Sequence, residues 1–135
     1  MMRSITLVAY HQLVIPALTI WREARGLPDA MLAVAWVIRN RCADPRWPDT
    51  PSEVCLQPKQ FSCFNAGDPN AVKLPGPGPE WAAFEAACAA WESHEPDPTS
   101  GANHYHSLSK GEPSWAWGGE LTLRIGAFKF YLLRG

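Results

Sequence analysis

Thr19-Ile20-Trp21-Arg22-Glu23-Ala24-Arg25-Gly26-Leu27-Pro28 is the stretch on which the reading of this chain turns. It has the form of the last turns of a helix, a Gly stop, and a Pro that opens the next element. Glu23 falls in that last turn. At helical spacing its neighbours are Thr19, Ile20 and Leu27, while Arg22 and Arg25 lie off its face. Apolar neighbours disfavour the charged carboxylate, and so does the negative end of the helix dipole. A carboxylic acid that keeps its proton near neutral pH is what protonation of a glycosidic oxygen requires. The plainer alternative is a solvated Glu on an exposed helix end.

Working outward, an apolar stripe of Ala17, Ile20, Trp21 and Ala24 predicts a first helix over 13–25, with Pro16 confined to its first turn. Met31, Leu32, Val34, Ala35, Val37 and Ile38 surround a second helix over 29–42, which reads as central and buried. Arg39 and Arg41 fall in its last turn, where cations suit the dipole. Eight of the thirteen Pro residues lie between 43 and 79, so this segment is irregular, with short helical turns at Ser52-Glu53-Val54 and Pro58-Lys59-Gln60. A third long helix is expected over 80–94, with Trp81, Phe84, Ala87, Cys88 and Trp91 inward and Glu80, Glu85 and Glu92 outward. Residues 121–125 and 128–132 form a hairpin about Gly126-Ala127, whose leading Gly suits a type II′ turn. Residues 103–107 add a third strand. The fold class is α+β and mostly helical, with a small sheet near the C-terminus.

Five stretches in register carry a resemblance. They are the Glu23-Ala24-Arg25-Gly26 helix end, AVAWVIRNR at 33–41, VCLQPKQFSCFN at 54–65, and DPTSGANHYH at 97–106 followed by Pro113-Ser114-Trp115-Ala116. The last is IGAFKFY at 125–131. Together they resemble the SleB-type, spore-cortex-lytic family of cell-wall hydrolases over about residues 17–132. The resemblance implies a single lysozyme-like domain over 1–135, peptidoglycan as substrate, and Glu23 as catalytic acid. It also implies that Gln60, Phe61, Ser62, Asn103, Tyr105 and Trp115 bind the glycan. Within Asn103-His104-Tyr105-His106, an extended backbone puts Asn103 and Tyr105 on one face and both His on the other. His104 and His106 have a metal-ligand spacing but no evident third ligand, so no metal and no cofactor are expected. Asp97, before Pro98, reads as a turn former.

At 135 residues the chain is the size of one ordinary domain, and 47% hydrophobic content with seven Trp residues allows a substantial core. A net charge of −1 gives no basic surface for nucleic acid. The apolar stretch Ile5–Ala9 is too short to span a bilayer and lacks a clean signal-cleavage site. The expectation is a monomer with no nucleic-acid partner and no stable membrane association. It would be made in the cytoplasm and reach the wall as a phage endolysin does, through a holin. Cys42, Cys55, Cys63 and Cys88 permit pairings of 55 with 63 and of 42 with 88, or four buried thiols, which is the reading preferred here.

One carboxylate without a motif-supported partner favours a lytic transglycosylase over a two-carboxylate muramidase. A zinc amidase using the His pair, or a glycan-binding protein without activity, are the remaining alternatives.

Overall fold

The computed structural model describes residues 7–24, 27–57 and 74–135. Among the described residues four α-helices come first: α1 (Leu7–Ala24), α2 (Pro28–Cys42), α3 (Pro51–Leu56) and α4 (Pro79–Glu92). Strand β1 (His104–Ser107) follows, then two 3₁₀ turns over Leu108–Lys110 and Ser114–Gly118, then β2 (Glu120–Ile125) and β3 (Phe128–Leu132). The sheet is antiparallel with order β1-β3-β2. The expected α+β, mostly helical architecture is therefore present. None of the described helices is long and apolar enough to cross a membrane.

The second helix is central, as its all-round apolar pattern predicts. Ala30, Met31, Ala33, Val34, Ala35, Val37 and Ile38 are buried, and α1, α3 and α4 pack around them. Pro28 stands at the first helical position, where a missing N–H costs nothing. Pro51 and Pro79 open α3 and α4 in the same way. The α3 N-terminus is also tied to α1, because the Ser52 backbone N–H donates to Gln12 Oε1 at 2.8 Å.

Two expectations need correction. The first helix begins at Leu7, not near 13, so Pro16 lies in its interior rather than its first turn. Pro cannot donate to the carbonyl one turn back. Pro16 is fully buried, however, and lies among the residues α1 turns inward, so tertiary burial outweighs the local rule. Trp81 was expected inside but is 49% exposed. It sits in the first turn of α4 and leans on Phe84, with ring centroids 5.6 Å apart. Phe84 in turn meets Trp21 edge-on and carries the contact to α1.

The hairpin closes as predicted. Gly126 has φ +54° while Ala127 is outside the left-handed region, which fits a type II′ turn and not type I′. A bulge at Thr122 shifts the β2–β3 register by one residue. Gly119 precedes β2 because a Cβ there would fall 2.5 Å from Leu133 Cδ1 and 3.2 Å from Tyr131 Cβ.

Pleat alternation gives the sheet two dissimilar faces. Tyr105, Leu123, Ile125, Phe128 and Phe130 turn toward the helical core. His104, His106 and Tyr131 turn away and are covered by Trp115.

Candidate active site

Glu23 is the penultimate residue of α1 and is half-buried. The Arg25-Gly26 stop lies outside the described residues, but the Leu27 N–H returns to the Ala24 carbonyl at 3.1 Å, closing the helix end. Arg22 lies over the Trp21 ring at 5.3 Å, on a different side of the helix from Glu23.

Tyr105 reaches Glu23 from the sheet. Its hydroxyl donates to Glu23 Oε1 at 2.6 Å across 82 residues of sequence. The phenol ring is held there by a stacked contact with Phe130, centroids 5.5 Å apart, and by Phe128 at 6.3 Å. The register that pairs Tyr105 with Phe130 thus aims the hydroxyl. At 2.6 Å this is a short hydrogen bond, of the kind that strengthens when the carboxyl gives up its proton and becomes charged.

Arg41 supports this arrangement from behind, and it was missed by the dipole argument made from sequence. It is 4% exposed, and its Nε donates to the Asn103 carbonyl at 2.7 Å. Burial lowers its pKa, and the neighbouring Tyr105 and Cys55 act in the opposite direction. Its guanidinium also lies 5.4 Å over Trp47. A buried cation therefore anchors the start of β1, two residues before Tyr105.

The other sequence-selected residues fall in three places. Gln60, Phe61 and Ser62 lie outside the described residues, as does Cys63. Asn103 is among the described residues, and its side chain is occupied. Its Nδ2 donates to the Leu133 carbonyl at 3.0 Å, and its Oδ1 accepts the Leu133 N–H at 3.0 Å. It clasps the end of β3 and is 3% exposed. Trp115 is on the opposite face of the sheet from Tyr105, between His104 (4.9 Å) and His106 (5.8 Å). The structure brings Glu23 and Tyr105 together and places Trp115 apart from them.

The His pair has partners of its own. His104 Nδ1 is 2.8 Å from Asn103 Oδ1, and His106 Nε2 is 3.2 Å from the Tyr131 hydroxyl. Among the described residues, no three His, Cys, Asp or Glu side chains converge as metal ligands would. Burial, with Arg41 and Arg46 nearby, holds the His104 pKa down to about 4.

Asp97 is the turn former its position implied. Its carboxylate accepts from the Thr99 N–H (2.7 Å), Thr99 Oγ1 (2.6 Å), the Gly101 N–H (3.0 Å) and Asn40 Nδ2 (3.0 Å). Burial pushes its pKa up, but these donors outweigh it, and the carboxyl stays below the usual range. The turn leads directly into β1. Cys42 and Cys88 are free thiols and do not pair with each other, and Cys55 is buried. Burial pushes both the Cys42 and the Cys88 thiol up.

The arrangement of helices followed by a three-stranded antiparallel sheet has solved counterparts. The catalytic domain of the Bacillus cereus SleB protein superposes with a TM-score of 0.70 at 25% identity, covering 96% of this chain and 94% of that one. The catalytic domain of the germination-specific lytic transglycosylase SleB from Bacillus anthracis shares the fold, with a TM-score of 0.67 at 24% identity over 97% and 99% of the two chains.

A family model described as Cell Wall Hydrolase matches residues 28–131, and the chain belongs to that family. Glu23 lies ahead of the matched span, so membership does not rest on it. The spore cortex-lytic enzyme of Halalkalibacterium halodurans is 31% identical over 115 residues, or 84% of this chain. The chain spans about a third of that relative's length, 32%.

Proposed function

We propose that this chain is a lytic transglycosylase that cuts the β-1,4 bond between N-acetylmuramic acid and N-acetylglucosamine, with Glu23 as acid and then base. The hydrogen bond between Tyr105 and Glu23 carries the reading. It gives the carboxyl a fixed aim, with a hydroxyl donor on Oε1.

The cycle balances with one carboxyl. Glu23 protonates the glycosidic oxygen, the C1–O bond breaks, and the N-acetylglucosamine side leaves as an alcohol. The carboxylate so formed takes the proton from the C6 hydroxyl of the muramic acid. That oxygen closes on C1, giving a 1,6-anhydro end and restoring the acid. Water attack is ordinarily assisted by a second carboxylate. Asp97, a candidate from the sequence, has its oxygens engaged by three donors of its own turn and by Asn40 of α2. An internal hydroxyl needs less help because it is already held close to C1. The B. anthracis neighbour, itself described as a lytic transglycosylase, supports the same chemistry.

Mass spectrometry of muropeptides released from purified sacculi tests this. The expected products are lighter by one water than hydrolytic ones and resist borohydride reduction. Reducible muramic acid ends as the main product would leave a muramidase in its place.

A further inference from the structure

The last turn of α2 grips the turn that leads into β1 at three points. Asn40 Nδ2 donates to Asp97 Oδ2 at 3.0 Å and to the Ala102 carbonyl at 2.9 Å. Arg41, the next residue, donates from Nε to the Asn103 carbonyl at 2.7 Å. The two side chains differ in what they bring. The Asn40 amide is neutral, so its bonds fix the path of the backbone and nothing more. Arg41 makes a similar contact but carries a cation into a place where it is 4% exposed. Burying a charge costs far more than burying an amide.

That charge is felt on both faces of β1. On the outer face, burial and then Arg41 hold His104 down to about 4. On the inner face stands Tyr105, the foremost of the groups that oppose the effect of burial on Arg41. The guanidinium is held between them, since Nε is tied to Asn103 and Trp47 covers the group at 5.4 Å. A cation this deep is weakly screened by salt and water. A phenol beside a cation is a stronger donor, because the cation favours negative charge building on its oxygen. Tyr105 directs that donor at Glu23 Oε1, 2.6 Å away.

We propose that Arg41 is a positioning residue for the reaction: its buried guanidinium, fixed on the Asn103 carbonyl, polarises the Tyr105 hydroxyl toward Glu23 and so steadies the carboxylate that forms when Glu23 gives up its proton. The proposal rests on Glu23 being the acid and says what tunes it. Arg41 acts through Tyr105 and, being buried, does not bind the glycan. Among the described residues, the other titratable groups packed about the pair are His104 on β1, Cys55 on α3 and Arg22 on α1, the last turned onto Trp21. Asp97 is held in its own turn, and Lys129 pairs with His106 on the outer face of the sheet. Glu53 of α3 and Glu80, Glu85 and Glu92 of α4 are exposed.

The test is the pH profile of the full chain on soluble glycan strands, with initial rates from about pH 4 to 9 giving kcat and kcat/KM. A general acid must be protonated, so kcat/KM falls as pH rises through the pKa of Glu23. Removing the cation disfavours the carboxylate and moves that falling limb to higher pH, while the weaker acid turns over more slowly. Arg41→Gln should shift the limb up by about half a pH unit or more and lower kcat about 3- to 10-fold, with KM little changed. Arg41→Lys keeps the charge and should leave the limb close to its wild-type place. Asn40→Ala loosens the same turn without touching any charge. It should lower the thermal midpoint and leave the limb where it is.

The route through the phenol has its own check. In a Tyr105→Phe background, Arg41→Gln should move the limb much less than it does when the hydroxyl is present. Should Arg41→Gln fail to fold, Arg41→citrulline, incorporated at an amber codon, keeps the Nε–H on the Asn103 carbonyl and removes only the charge. An unmoved limb in either uncharged variant would overturn the proposal. So would an equal shift with Asn40→Ala, or an undiminished shift without the Tyr105 hydroxyl. Failure of the underlying reading looks different: Glu23→Gln would then clear sacculi at the wild-type rate, whatever the Arg41 variants do.

Discussion

Replacing Tyr105 by Phe removes one oxygen and leaves the ring. The stack on Phe130 at 5.5 Å and the contact with Phe128 at 6.3 Å survive. What disappears is the hydrogen bond to Glu23 Oε1 at 2.6 Å. To the carboxylate that Glu23 becomes on giving up its proton, such a bond contributes roughly 1.5–3 kcal/mol. In the resting protein both partners are half-buried, so water recovers much of that amount. The folding cost should stay near 1 kcal/mol, a fall of about 3–5 °C in the thermal midpoint of a domain this size. Turnover is less forgiving. In the proposed cycle Glu23 must hold one aim while it gives up a proton and then takes one back. Loss of the whole tether in the transition state corresponds to about a 10- to 100-fold drop in kcat. Initial rates of sacculus clearing over a range of substrate concentrations separate kcat from KM, and a melting curve gives the stability change. A kcat within twofold of wild type, with a clear fall in midpoint, would refute the reasoning and leave Tyr105 as packing.

Glu23→Gln keeps the shape of the side chain but has no acid proton, and it should lower sacculus clearing by at least ~10²-fold with little change in melting. Asp97→Asn sets an NH₂ among donors now gripping the carboxylate, and should cost roughly 2–3 kcal/mol in chemical denaturation, with lost activity only in proportion to unfolding. His104 is held at about 4 in the fold against an ordinary 6.5. The unfolded chain thus binds more protons between those values, and the stability from the neutral ring is present above the upper one and lost as pH falls toward the lower. His104→Gln should flatten the acid-side slope of stability in that window, and an unchanged slope would show that the slope comes from other groups.

How far the sequence could be read depended on whether each signal was local. Pro28 at a helix start and an all-round apolar α2 are local, and so is the Gly126-Ala127 turn; all three were legible. The period of two in residues 103–106 was legible as well, giving the correct division of His104 and His106 from Tyr105. Which face would meet the helices was not, since both carry aromatic rings. That is why Trp115 was grouped with Tyr105 and is found across the sheet from it. Arg41 was read as a helix-end cation because its true partner, the Asn103 carbonyl, is 62 residues away. Asn103 was read as lining the cleft because nothing local announces a clasp on Leu133. Pro16 and Trp81 went against expectation for a related reason: burial is decided by neighbours distant in sequence, and propensity yields to it.

The seat of Tyr105 also sets an order in time. Glu23, the proposed acid, is made before Phe130, the ring that steadies its partner on the strand that pairs with β1. A ribosome-bound chain halted before residue 128 has its carboxyl but neither the strand nor the stack that brings the phenol to it. The proposed acid therefore waits for a steadied Tyr105 until β3 has paired with β1, so the site is a late product of folding that α1 alone does not make.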